Sequence, residues 1–435
     1  VVEPAAASPT DGAWWQVFGD PVLDALVQRA VQGNTGLAGA AARVAAARAA
    51  LGAAQASAWP QLTAQASAAR QGGPLVNAAG TSGTLLTAGL QASHELDVSG
   101  RRAAGQSAAE HDLQAQQALA LDAHLLVQAE VAHTYLALRA TDAQRTLAQR
   151  SQQAWQQTLQ ITEARLGQGG VAELAVLRQR AEVQAQLAYS RALDRRRAEL
   201  AHALALLLRE PASDFNLAEQ PDWVPPLPLV PAGLPSDLLL RRPDVQAAAA
   251  QWQAAQGRRG AAERAWWPSL ALTVSGGQAS PTLGDLLRAS VRAYSVGALL
   301  AAPLLDAGRR DAALAQARAD EDGTQARHRG QVMAAFKEVE DQLVALSTLA
   351  DQATHQAQAA DAAGRAAAVA DRLWRAGLAS HLDLLEAQRA AWRSQAALLQ
   401  TQAARAQATV GLVRALGGGW GTPGVAQAAQ PAGPT

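Results

Sequence analysis

The sequence predicts a mostly α-helical protein with a smaller β part: four long-helix segments and four strands per protomer. Three observations carry this. Proline and glycine leave very long stretches unbroken, four segments alternate with a period of two, and the second half of the chain repeats the first 208 residues later.

The repeat organises everything else. Trp59-Pro60-Gln61-Leu62 returns as Trp267-Pro268-Ser269-Leu270, and Gly100-Arg101-Arg102 as Gly308-Arg309-Arg310. Glu130-Val131 returns as Glu338-Val339, and Glu173-Leu174-Ala175-Val176-Leu177 as His381-Leu382-Asp383-Leu384-Leu385. One match would mean little in an Ala-rich chain. Four collinear matches at one offset mark a duplicated unit.

The helices follow from the breakers. No Pro lies between Pro74 and Pro211 or between Pro303 and Pro423, and no Gly from Gln106 to Leu166. Helices are expected over 102–166 and 171–209, then over 308–375 and 379–416, with Gly167-Gln168-Gly169-Gly170 and Gly377 breaking each pair. A helix of about 60 residues is about 90 Å long, which calls for coiled-coil-like packing. Val127, Val131, Thr134 and Leu138 step by 4, 3 and 4, and Leu378, Leu382 and Leu385 by 4 and 3, as a seam requires. Ala, about a quarter of the chain, fills many other seam positions and lets backbones approach. Residues 211–235 hold seven prolines and read as an extended connector. The tail from Gly417 is rich in Gly, Pro, Ala and Gln and reads as flexible.

The strands come in pairs. Leu62, Ala64, Ala66 and Ala68 alternate with Gln61, Thr63, Gln65 and Ser67; Leu86, Ala88, Leu90 and Ala92 alternate with Thr87, Gly89, Gln91 and Ser93. In the second repeat Leu270, Leu272 and Val274 alternate with Ser269, Thr273 and Ser275, and Tyr294, Val296, Ala298 and Leu300 with Ala293, Ser295 and Gly297. A half-buried soluble sheet gives the same pattern. A length of about ten residues and uncharged polar faces favour a transmembrane barrel with a wet lumen. Trp59 and Trp267 suit an interfacial aromatic girdle, or ordinary packing at a strand start. Four strands cannot close a barrel in lipid, so the membrane reading demands oligomerisation.

Composition excludes several functions. Against 37 basic residues stand 37 acidic ones, which rules out bulk nucleic-acid binding. There is no Cys, hence no disulfide, thiolate metal site or Cys nucleophile. No run of 18 apolar residues is present, so no transmembrane helix is expected, and no signal peptide is visible after Val1. None of the eight His forms His-Glu-x-x-His, and no Gly-x-Ser-x-Gly elbow or phosphate loop occurs. Gly167-Gln168-Gly169-Gly170 follows a helix and is a helix break. Glu338 with Asp341, and His381 in a turn, read as solvated groups.

Over residues 14–416 the chain resembles the TolC-type outer-membrane efflux proteins, in the OprM/NodT lipoprotein branch. Trp14-Trp15, Phe18-Gly19-Asp20-Pro21, Leu23 and Leu26 resemble the opening helix signature. Leu239-Leu240-Arg241-Arg242-Pro243-Asp244-Val245 resembles the most specific family motif. Glu95-Leu96-Asp97 with Gly100-Arg101, and Pro303-Leu304-Leu305-Asp306-Ala307-Gly308-Arg309, resemble the strand-to-helix junctions, and 377–385 the periplasmic turn. The branch usually carries an acylated Cys, and the candidate surface loops 72–81 and 279–290 are short, with charge only at Asp285 and Arg288.

The resemblance implies a homotrimer: a trimeric α-barrel tunnel continuous with a 12-stranded transmembrane β-barrel in outer-membrane lipid. It implies a periplasmic adaptor and an inner-membrane efflux transporter of the RND type as partners, with no cofactor, no metal, no catalysis and no nucleic acid. The corresponding organisation is an N-terminal segment with first helices over 1–58, a β-hairpin over 59–101, a long-helix pair over 102–210, a Pro-rich connector over 211–242, a helix over 243–266, a second β-hairpin over 267–307, a second long-helix pair over 308–416 and a tail over 417–435.

Leu382, Glu386 and Arg389 step by four and three and share one helix face. By resemblance they line a closed periplasmic aperture, with Leu174 and Arg178 as first-repeat equivalents and Ala181 where the second repeat has Arg389. By spacing alone, Glu386 and Arg389 are a surface ion pair. Gly170 and Gly377 mark the tips for adaptor contact. The rival readings are a soluble periplasmic scaffold or adaptor, and the same fold serving type I secretion or metal-ion efflux; a single Met, Met333, disfavours a copper or silver lumen. Nothing in the sequence names the cargo.

Overall fold

The computed structural model describes residues 13–72, 83–221, 223–224, 241–284 and 292–418. Helices α1 (Pro21–Gly33) and α2 (Thr35–Ala56) lead into strands β1 (Gln61–Gln71) and β2 (Gly83–Leu96). Helices α3 (Arg101–Gly167) and α4 (Glu173–Leu208) form the first long pair. Then α5 (Pro243–Glu263), β3 (Ser269–Ser280), β4 (Arg292–Ala301), α6 (Arg309–Arg375) and α7 (His381–Ala415) repeat the pattern. The starts of α2 and α5, α3 and α6, and α4 and α7 are each 208 residues apart. Most of the loops 72–81 and 279–290, Leu239 and Leu240, and the tail beyond Gly418 lie outside the described residues.

Left-handed residues close the helices. Gly169 at φ 74° ends α3, with Gly170 N–H bonded to Arg165 C=O at 2.8 Å. Gly377 at φ 76° ends α6, with Leu378 N–H bonded to Leu373 C=O at 2.8 Å. Both are Schellman closures. The left-handed glycine of the first turn is therefore Gly169, with the expected tip residue Gly170 one position beyond it. The seam also differs from expectation: Leu378 and Leu382 are exposed, whereas Leu384 and Leu385 are buried. Two adjacent leucines straddle the contact where the 4,3 count had selected one.

The chain forms two compact units, each drawn from both repeats. One comprises Val1–Gly39, Leu121–Val245 and Val332–Thr435, and the other Ala40–Ala120 and Gln246–Gln331. In the first, a short 3₁₀ turn places Trp14, Trp15 and Phe18 against Leu26 of α1, Val131 and Leu138 of α3, Leu204 of α4 and Val410 of α7. Asp20 caps α1, accepting from Val22 and Leu23 N–H, and Pro21 takes the first helical position.

A buried polar knot crosses this core. Arg139 Nε donates to Tyr135 Oη at 3.0 Å, and Tyr135 Oη donates to Asp20 Oδ2 at 2.5 Å. Asp142 accepts from Arg139 at 3.2 Å and from Arg197 at 2.7 Å. The same guanidinium groups bond the carbonyls of Ala218 and Leu217. The described half of the connector is thus packed rather than extended: Trp223 is buried, and Phe215 and Leu217 lie on the core. Residues 225–240 lie outside the described part.

In the second unit, the four strands form one antiparallel sheet in the order β1-β2-β3-β4. Ala64 pairs with Leu90, Leu90 with Gly276, and Val274 with Val296. The apolar positions of all four strands therefore share one face. The other face carries polar ladders: Gln65 bonds Gln91 at 3.2 Å, Ser67 bonds Thr87 at 2.7 Å and Ser275 bonds Ser295 at 2.8 Å. Gly89 opposes Gly277, and a Cβ on Gly277 would stand 2.4 Å from Ala88 O, whereas one on Gly276 meets nothing within 4 Å. Gly277→Ala should therefore lower the thermal midpoint of the sheet by several degrees, while Gly276→Ala leaves it within a degree or so, as read by circular dichroism.

Helix α2 is long and apolar enough to cross a membrane, with a mean hydropathy of 1.2 over its most apolar window. Its hydropathy comes mostly from Ala, it carries Arg43 and Arg48, and only 11% of that window is buried.

Candidate functional site

The ends of the two long-helix pairs meet within the first unit, and four sets of side chains tie them together. Arg165 of α3 caps α6. Its Nη1 and Nη2 donate to the carbonyls of Trp374 and Arg375, each at 3.1 Å, and its guanidinium lies 4.4 Å from the Trp374 ring centroid. This satisfies carbonyls that a helix end leaves open and places a cation at the negative end of the dipole. Trp374 is fully buried and meets His381 edge-on at 6.2 Å. Burial, and secondarily the charge of Arg178, hold His381 below the usual imidazole range.

The next ties climb the pair. Gln388 donates to Thr158 Oγ1 at 3.3 Å. Arg389 of α7 donates to Glu182 of α4. The hydrogen bond that Arg389 donates to Glu182 is the main cause that raises the Arg389 pKa, and Glu386 adds a smaller electrostatic contribution. Trp392 then packs edge-on between Trp155 of α3 and Tyr189 of α4, at 6.3 and 5.4 Å. Within the first pair, buried Gln179 and Gln186 donate to the carbonyls of Trp155 and Ala148.

Arg389 thus bonds a residue 207 positions earlier in place of the i,i+3 partner Glu386. Glu182 approaches from a neighbouring helix and is only 18% exposed at its side chain, so the pair is better shielded than the same-helix alternative. Leu382, Glu386, Leu174 and Arg178 all stand exposed in one protomer. The turn at 377–381 is fixed by Ser380, whose side chain accepts from Asp383 N–H at 3.2 Å while Asp383 bonds back to Ser380 N–H at 3.1 Å. The first-repeat turn has Ala172 in that place and no side-chain cap.

The family motif occupies the other end of the pair. Arg241 is exposed. Arg242 is 4% exposed, bidentate on Asp244 at 2.7 and 3.0 Å, and also donates to Glu338 at 2.8 Å and to the Ala415 carbonyl at 2.9 Å. Pro243 opens α5 and Asp244 sits in its first turn. Asn34, 208 residues earlier, holds the Leu207 carbonyl at 3.1 Å and caps α2. The motif arginine and this asparagine thus play the same part, since each ties the start of a short helix to the end of a long one. Nearby Asp122 has its pKa raised, first by burial and then by Asp244.

Sequence comparison places these features in a family. The model described as "Outer membrane efflux protein" matches residues 26–208 and 234–418, two stretches that begin 208 residues apart. The pyoverdine export outer membrane protein OpmQ of Pseudomonas aeruginosa is 34% identical over 417 residues, 94% of this chain and 87% of the relative. The cation efflux system protein CusC of Escherichia coli is 30% identical over 425 residues, 96% of this chain and 90% of the relative. The solved structure of the outer-membrane channel OprN superposes with a TM-score of 0.89 at 28% identity, covering 97% of this chain and 96% of that one. These relatives are outer-membrane efflux proteins of Gram-negative bacteria, and this chain is placed with them in the outer membrane, extending into the periplasm. The chain belongs to the outer membrane efflux protein family of TolC-type channels.

Proposed function

We propose that three copies of this chain form the outer-membrane exit duct of a tripartite efflux pump. The observation that carries this is the sheet: both edges, β1 and β4, are open, and one face is apolar over the middle of all four strands, with Arg70, Gln278 and Arg292 toward the loop end and His94 toward the helix end. Three such sheets joined edge to edge give twelve strands and leave no open edge in lipid. The duct performs no chemistry and needs no cofactor. Driving force comes from an inner-membrane transporter of the RND type, joined through a periplasmic adaptor that meets the turns around Gly170 and Gly377. Leu382 and Leu174 form the narrow apolar ring, with Glu386 and Arg178 beside it. The Arg389–Glu182 pair holds α7 against the first helix pair, so that opening is a movement of α6 and α7 away from α3 and α4. The cargo is a solute delivered by the transporter; relatives named for pyoverdine export and cation efflux differ in cargo on one scaffold.

The detergent-solubilised protein should have a mass of about 135 kDa, three times the 45.0 kDa chain. Leu90 is 53% exposed on the apolar face, and Thr87 bonds Ser67 on the polar one. An Arg costs about 2–4 kcal/mol at a mid-membrane lipid face and far less in a lumen. Leu90→Arg should therefore abolish most of the trimer in outer-membrane fractions, while Thr87→Arg assembles and changes conductance. Equal tolerance of both, or a folded monomer, would overturn the duct.

A further inference from the structure

At the foot of the sheet, within the second unit, lies a cavity of about 810 Å³. Its wall includes Trp59, Gln61, Ser93, Glu95, Arg101 and Arg102. Gln61, Ser93 and Glu95 belong to the polar strand face, in register with the Gln65–Gln91 ladder. Trp59 is 72% exposed and offers a flat apolar plate.

The two arginines there have different partners. Arg101 pairs with Glu95 at 2.8 Å. Arg102 Nη1 donates to the main-chain carbonyl of Glu95, and its Nη2 is enclosed without a partner. Asp97 accepts the N–H groups of Arg102 and Ala103 and starts α3. The wall thus carries two guanidinium groups and the Glu95 carboxylate, with the Asp97 carboxylate close enough to act on both arginines through charge.

The second repeat supplies an internal control. Arg310, the counterpart of Arg102, is bonded to Asp306 at 2.6 Å and lies 4.2 Å from the Trp266 ring centroid. Glu95 is replaced there by Pro303. The second-repeat guanidinium has a carboxylate at 2.6 Å and stacks on Trp266, with its Nη1 enclosed without a partner. The first-repeat guanidinium bonds a main-chain carbonyl instead, and Asp97, which accepts the Arg102 main-chain N–H, acts on it through charge.

We infer that the Trp59–Arg102 cavity is a weak binding station for planar aromatic acids on the inner wall of the duct. The indole stacks the ring, the two guanidinium groups attract the carboxylate, and Gln61 with Ser93 supplies neutral polar contacts. One such station per protomer would stand where the helical part of the duct gives way to strands. This rests on the reading of the polar strand face as lumen.

The test uses 2-naphthoate and its neutral amide, 2-naphthamide, titrated calorimetrically into the detergent-solubilised full-length protein. Wild type should bind the acid more tightly than the amide. Trp59→Leu should weaken acid binding about tenfold, the upper range for the loss of an aromatic pair. Trp267→Leu should leave it unchanged, and Arg102→Gln should erase the preference for the acid. Trp59 is exposed, so its replacement keeps the test independent of any folding defect in Arg102→Gln. Equal binding of acid and amide by wild type, or equal loss from Trp59→Leu and Trp267→Leu, would overturn the station. In planar bilayers 2-naphthoate should reduce the conductance of wild type and not of Trp59→Leu. A wild type that binds by calorimetry but conducts nothing would overturn the duct and leave the station standing.

Discussion

A chain carrying Leu382→Ala, Glu386→Ala and Arg389→Ala together should conduct several-fold more than wild type in planar bilayers while remaining an oligomer of unchanged mass. The three substitutions act on different contacts. Leu382 is 42% exposed in the protomer and supplies apolar bulk at the narrow end. Arg389 bonds Glu182 across the two helix pairs, and Glu386 adds charge beside it. Charge contacts weaken as salt rises, and an apolar ring does not. The Arg389→Ala conductance should therefore resemble that of wild type at high salt, while Leu382→Ala exceeds wild type at every salt concentration. Glu182→Ala should match Arg389→Ala, because each removes the same pair. A triple variant that conducts no better than wild type while keeping its oligomeric mass would show that these residues do not form the aperture.

The largest loss of stability is expected at Asp142. It is 2% exposed and accepts hydrogen bonds from Arg139 and Arg197, and Arg139 is itself 3% exposed. Asp142→Ala leaves a guanidinium buried without its carboxylate, a change that costs about 3–5 kcal/mol. The connector around Leu217–Gln220 should loosen with it, since the same arginines hold those carbonyls. Limited proteolysis should then cut near residue 218 in the variant and not in wild type. The near-ultraviolet signal of the Trp14, Trp15 and Trp223 cluster should melt several degrees earlier. An unchanged melting curve would mean that water replaces the lost carboxylate without penalty.

Much of this fold is legible in the sequence because it is written twice. Gly100 and Gly308, or Glu173 and His381, recur at one offset, and the expected helix starts at 102, 171, 308 and 379 fall within two residues of those observed. The period-two segments also declare their faces, and the register of Leu90 with Ala64 and Gly276 keeps those faces aligned. What sequence reading misses is partnership across the repeats. Spacing on one helix suggests Glu386 for Arg389, but the geometric competitor, Glu182, lies on another helix, and no periodicity within α7 can reveal it. Arg165 carries no mark in the sequence of its partner Trp374, 209 residues away. Gln179 and Gln186 look polar and therefore outward, yet they are buried because each finds a main-chain carbonyl in the facing helix. A usable signal was present: Val176, Gln179, Val183 and Gln186 step by 3, 4 and 3, so that two glutamines continue an apolar seam.

The strand order also sets the sequence of events in folding. Hairpins β1–β2 and β3–β4 close over short loops, but β2 meets β3 only through pairs that lie from 174 residues apart (Leu96 with Leu270) to 194 (Leu86 with Ser280). Loop-closure entropy must be overcome before that central pairing is rewarded, whereas α3, α4, α6 and α7 are stabilised by local contacts as they form. Refolding traces should accordingly show helix signal first and sheet signal last. During that interval the central edges of both hairpins stand unpaired. The intermediate expected to live longest is thus one that holds its helices and two separate ribbons, and pulse-labelling during refolding should find the β2 and β3 amides protected last.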